Sequence, residues 1–96
     1  MTEMHAEYDS NANAVSLSLD LAGPAQQADQ VHPRAIVALR DGHPIEVQLL
    51  YPELGIDEAL LAVAERYKLD AEALIAAAHA AVAAPDRAVV LDIAAA

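Results

Sequence analysis

The hydrophobic pattern of this 96-residue chain changes period at Pro52, from a sheet-forming first half to a helix-forming segment, and returns to the two-residue period in its last residues. Before it, Val15, Leu17, Leu19 and Leu21 alternate with Ser16, Ser18 and Asp20, the two-residue period of a strand with one face buried. Asp9-Ser10-Asn11-Ala12-Asn13 gathers residues that bond their own backbone and tolerate left-handed conformations, so it predicts a turn. With the short segment from Met4 to Asp9, that turn makes a β-hairpin. Residues 22–30 show no period and contain Gly23-Pro24, which predicts a loop. The next strand is expected from Val31 to Arg40, ending at Asp41-Gly42. That dipeptide accepts positive φ at both positions, as a tight hairpin turn requires. Its return strand points Ile45, Val47 and Leu49 inward and Glu46 and Gln48 outward.

Beyond Pro52 the apolar residues follow a helical spacing. Asp57 is a candidate cap for a helix with a stripe of Leu60, Leu61, Val63, Ala64 and Tyr67; Glu58 stands at its positive end, Arg66 and Lys68 at its negative end. Asp70 is the candidate cap of a second helix that buries Leu74, Ile75, Ala78 and Val82 and stops at Pro85-Asp86. Val89, Leu91 and Ile93 then alternate with Val90 and Asp92 as a last strand, and the pattern leaves open whether it joins its own sheet or a neighbour's. The expectation is one α+β domain over residues 1–96. It comprises an antiparallel sheet of two β-hairpins over 4–50, a two-helix hairpin over 56–84 and a C-terminal strand over 87–94.

Composition narrows the function. A quarter of the residues are Ala, and Phe, Trp and Cys are absent, so the core must be built from Leu, Val and Ile with three tyrosines as its only rings. Fifteen acids against five bases give a net charge of −10, which opposes direct contact with nucleic-acid phosphates and suits either solubility or a basic protein partner. Without cysteine there is no disulfide framework, and the N-terminal segment lacks the basic-then-apolar pattern of a signal peptide. The cytoplasm is therefore the expected location, without a membrane segment.

The first half of the chain resembles a bacterial family known as domain of unknown function 2283. The likeness lies in Tyr8-Asp9, a short turn, Ala12-Asn13-Ala14 and an alternating strand, and then in Asp41-Gly42-x-Pro44-Ile45-Glu46-Val47-x-Leu49-Leu50. The family has an acid where this chain has Asn13, and often a glycine where it has Ile45 before the Glu. The resemblance implies a small antiparallel sheet and an antitoxin-like role, and it transfers no catalytic residues.

No motif marks a reaction. Asp9, Asn11, Asn13 and Asp20 match four positions of a calcium loop, but Ala14 stands where that loop needs Gly, and a strand pattern runs through its second half. An Asx-rich turn accounts for them better. His5, His32, His43 and His79 form no helical ligand pair, and nucleophile elbows and phosphate loops are missing. The two helices do not suit a DNA-reading pair, because the second begins Asp70-Ala71-Glu72-Ala73, acidic where phosphate would lie. Ala73, Ala77 and Ala81 lie along one side of that helix and permit close helix contact, either with a partner or with the chain's own core. The candidate interaction residues are those three, the helix acids Glu58 and Glu65, and Val89, Leu91 and Ile93 of the last strand. The functional expectation is a small acidic macromolecule-binding protein, antitoxin-like, that covers a basic protein and assembles as a homodimer. The alternatives are a structural or regulatory homo-oligomer and, after it, a small enzyme or metal-binding protein. No cofactor is implied.

Overall fold

The computed structural model describes residues 2–19 and 24–93. Six strands form one antiparallel sheet: β1 (Thr2–Asp9), β2 (Ala14–Ser18), β3 (Gln27–His32), β4 (Ala35–Arg40), β5 (His43–Leu50) and β6 (Ala88–Ile93). Two helices, α1 (Asp57–Tyr67) and α2 (Ala71–Ala83), stand between β5 and β6 in the chain. The spatial order is β3-β4-β5-β2-β1-β6. After β2 the chain therefore crosses to the far edge, returns as the meander β3-β4-β5, and closes the other edge with β6.

The α+β architecture, both expected hairpins and the terminal strand are present. One element differs. The segment from Val31 to Arg40 is not a single strand: the chain turns at Pro33-Arg34, and β3 reaches back to Gln27 within the stretch read as loop. Gln27-Ala28-Asp29-Gln30 has no alternation because β3 lies at the sheet edge and is wet on most sides. Asp20 and Leu21 of the expected second strand, Ala22 and Gly23 of the expected loop, and Ala94 of the expected last strand lie outside the described residues.

Two turns follow from local chemistry. Asp41 and Gly42 both take positive φ, 53° and 79°, as a two-residue hairpin between right-twisted strands requires. In the β1–β2 turn the Asp9 carboxylate accepts from the backbone N–H groups of Asn11 and Ala12 at 2.9 and 3.2 Å, so it organises a turn.

The helices cover one face of the sheet, α1 over β3, β4 and β5 and α2 over β1, β2 and β6. Val15, Leu17, Val37, Val47 and Leu49 point up from the strands to meet Leu60, Val63 and Leu74, all fully or almost fully buried. Asp70 caps α2 as expected, accepting from Ala73 N–H at 3.2 Å. Asp57 does not cap α1. Ile56 occupies the cap position and Asp57 is the first helical residue, where its charge still favours the positive end of the dipole. No helix among the described residues is long and apolar enough to cross a membrane.

Candidate functional site

With both helices on one side, the opposite face of the sheet is open to solvent. Pairing registers fix which residues it presents, since residues directly opposite in an antiparallel pair share a face. One row runs Ala88, Glu7, Ser16, Gln48, Ile36, and the next runs Val90, His5, Ser18, Glu46, Ala38. Where these rows cross the middle strands, a polar groove of about 250 Å³ opens, walled by His5, Glu7 and Glu46 and floored by Ser16, Ser18 and Ala88. The floor is low because its side chains are small.

The sign of this surface is set by sequence. The contiguous strands β5-β2-β1-β6 contain no Lys or Arg, while their outward side chains include Glu3, Glu7 and Glu46. His5 lies 3.8 Å from the carboxylate of its neighbour on the same face, Glu3. Three of the five bases are engaged elsewhere. Arg34 donates to the carbonyls of Tyr51 and Gly55 at 3.2 and 2.6 Å, Arg40 to that of Pro24 at 3.2 Å, and Arg66 to Asp29 at 2.8 Å. The groove thus offers acceptors and negative charge, which suits cationic donors and not phosphate.

The residues singled out from sequence are dispersed. Ala77 and Ala81 are fully buried between α2 and the sheet in the chain's own core, whereas Ala73 is half-buried at the start of the helix. Glu58 and Glu65 are exposed on α1, with Glu58 3.4 Å from His32 on β3. Val89 and Leu91 lie on the helix-covered face opposite Ala6 and Met4, and Ile93 pairs with Thr2 within the chain. None of these lines the groove. Its residues were legible only singly, Glu46 and the β2 serines as outward members of an alternating strand.

The histidines stay apart. His32 and His43 close different turns, His79 pairs with Asp57 at 3.2 Å, and among the described residues no three His, Asp or Glu side chains converge as metal ligands. An apolar cleft of similar volume lies at the N-terminus of α2, between Leu69, Ala73, Leu74 and Met4, Leu19 and Pro44 of the sheet, with Glu3 and Asp70 at its rim.

Two hydrogen-bonded clusters brace the scaffold. Asp29 on β3 accepts from Tyr67 Oη at 2.5 Å and from Arg66, and these bonds hold its carboxyl below its ordinary range while raising the Tyr67 phenol. Asp86 accepts from the hydroxyl and the backbone N–H of Ser10 at 2.7 and 2.9 Å, which lowers its pKa and ties the β1–β2 turn to the entry of β6. The chain matches no family model, no curated protein and no solved structure.

Proposed function

We propose that this chain is a small acidic protein-binding module that covers a basic protein partner with the open face of its sheet, in an antitoxin-like role in a bacterial cytoplasm. The observation that carries the reading is the run of four adjacent strands without a Lys or Arg, facing solvent around an acceptor-lined groove. A face whose only full charges on these strands are carboxylates, set around low-lying serines, favours cationic side chains over phosphate, so the partner's chemistry follows from Coulomb attraction and hydrogen-bond polarity. The short likeness to domain of unknown function 2283 over the first half supports the antitoxin-like part of the reading.

Affinity for the co-purifying partner, measured by calorimetry, is expected to fall about tenfold or more from low to physiological ionic strength. Glu7→Gln with Glu46→Gln is expected to weaken it by a similar factor and to flatten the salt dependence. A partner whose affinity ignores both salt and these substitutions would remove the reading.

A second reading, a homo-oligomer with no separate ligand, is favoured by apolar side chains outside the sheet: Tyr51 and Leu61 are 51% exposed and Leu54 is 68% exposed. Light scattering decides it. A monomer at micromolar concentration rejects this alternative.

A further inference from the structure

The two edges of the sheet are unequal. At one edge β3 carries a bulge between Gln30 and His32, and its Asp29 is tied to α1. At the other, β6 pairs with β1 through six successive residues without a register shift, and among the described residues nothing pairs with its outer side. Its sequence, Ala-Val-Val-Leu-Asp-Ile, has no Pro, Lys or bulge to keep the edge from pairing, and its one charge, Asp92, stands near its end and suits a basic neighbour. An unguarded edge presents backbone N–H and C=O groups in the spacing of a strand, and the ligand that satisfies such a row is another extended chain.

The polar groove reaches this edge. Ala88 is both the first residue of β6 and part of the groove floor, and it lies directly opposite Glu7. A strand added outside β6 would place alternate side chains on the open face. One of them, beside Ala88, would find a small residue to pass over and an acid beyond it. Strands are about 4.8 Å apart, and the long stem of a Lys or Arg suits that crossing. The next open-face position of β6 is Val90, 52% exposed, whose side chain would gain apolar cover.

We infer that the outer edge of β6 and the groove that opens onto it at Ala88 form one docking surface, which takes an extended basic segment of a partner protein as a seventh strand. The inference rests on the proposed binding of a basic protein and specifies how that protein is held. Charge selects a basic occupant: Glu7 and Glu46 wall the groove, and strands β5-β2-β1-β6 carry no Lys or Arg. A second copy of this chain, paired through its own β6, would bring no Lys or Arg of that strand to those acids. A segment alternating basic and apolar residues brings them: its basic residues face the groove and its apolar residues the helix side.

The test uses the full chain and three synthetic peptides of equal charge: one alternating Arg and Val, one with the same residues in blocks, and the alternating peptide N-methylated at every second residue. Binding is followed by calorimetry and by amide NMR shifts. The alternating peptide is expected to bind about tenfold tighter than the other two and to shift the amides of residues 88–92. Ala88→Arg, at an exposed position that leaves the core intact, is expected to abolish that preference. Equal, salt-sensitive binding of all three peptides would overturn edge pairing and leave the acidic-surface reading standing. Binding of none, at low salt, would overturn both. A free chain already dimeric through protected 88–92 amides would overturn the inference in favour of self-pairing.

Discussion

Asn13 shows how much one side chain can organise. It sits at φ 52°, a left-handed conformation that Asn tolerates better than most residues, and its amide links three segments. The carbonyl oxygen accepts from Tyr8 Oη at 2.8 Å, and the amide nitrogen donates to both carboxylate oxygens of Glu53 at 2.6 and 2.9 Å. An acid at this position would place a second carboxylate against Glu53. Asn13→Asp is therefore expected to cost about 1–3 kcal/mol at neutral pH in urea titrations, with much of the loss recovered in the double variant that adds Glu53→Gln. Asp29 offers a second test at this scale. Its pKa is held below the ordinary 3.8 by the Tyr67 hydroxyl first and Arg66 second. A lowered folded pKa means that its stabilisation is complete above the unfolded value and is lost as pH falls through the folded one. Wild type should thus exceed Asp29→Asn in stability by a constant margin at neutral and mildly acidic pH. The margin should close only below 3.8, as read by thermal melts across that range.

Among the elements, α2 settles a question its sequence leaves open, whether the Ala strip faces the core or a partner. Ala77 and Ala81 are fully buried against the sheet, where their short side chains let the helix approach strands that carry Met4, Val15 and Leu17. Ala77→Leu should then overpack the core and cost about 1–3 kcal/mol in a monomeric chain, whereas a solvent-facing strip would absorb the change almost silently in chemical denaturation. The Asp70 cap is the matching test at the helix end: Asp70→Ala is expected to lose about 1 kcal/mol, since the freed Ala73 N–H has no other partner in the capping turn. The helices were legible as elements from their apolar spacing, but their buried faces only in part. Ala77 and Ala81 are fully buried where Ile75 and Val82 of the expected stripe are partly so, and Leu61 of the α1 stripe is 51% exposed. The strand β3 was not legible, because Gln27 to Gln30 buries too little to leave a period. The groove was illegible for a different reason. His5, Glu7, Ser16, Ser18, Glu46 and Ala88 are the outward members of four strands that become neighbours only through the order β5-β2-β1-β6, and chain order does not announce that order.

For the molecule as a whole, the ten unbalanced negative charges act in two opposite directions. Within the free chain they repel. Five bases stand against fifteen acids, and one of the five, Arg66, is already paired with Asp29, so little positive charge is left to offset the acids on the open sheet face and on α1. Toward a basic partner the same acids attract, and both effects are screened over a distance of about 8–10 Å at ordinary salt. Added neutral salt should therefore stabilise the free chain while it weakens the complex. The expected outcome is a melting temperature that rises by a few degrees from low to physiological ionic strength, alongside a falling affinity for the basic peptide under the same conditions. The opposite signs matter more than either magnitude. A general salt effect on hydration would raise apparent stability and apolar association together, so only charge repulsion within the chain and charge attraction across the interface drive the two measurements apart. If melting temperature and affinity rise together, the contacts are apolar, and the exposed Tyr51, Leu54 and Leu61 become the surface to mutate.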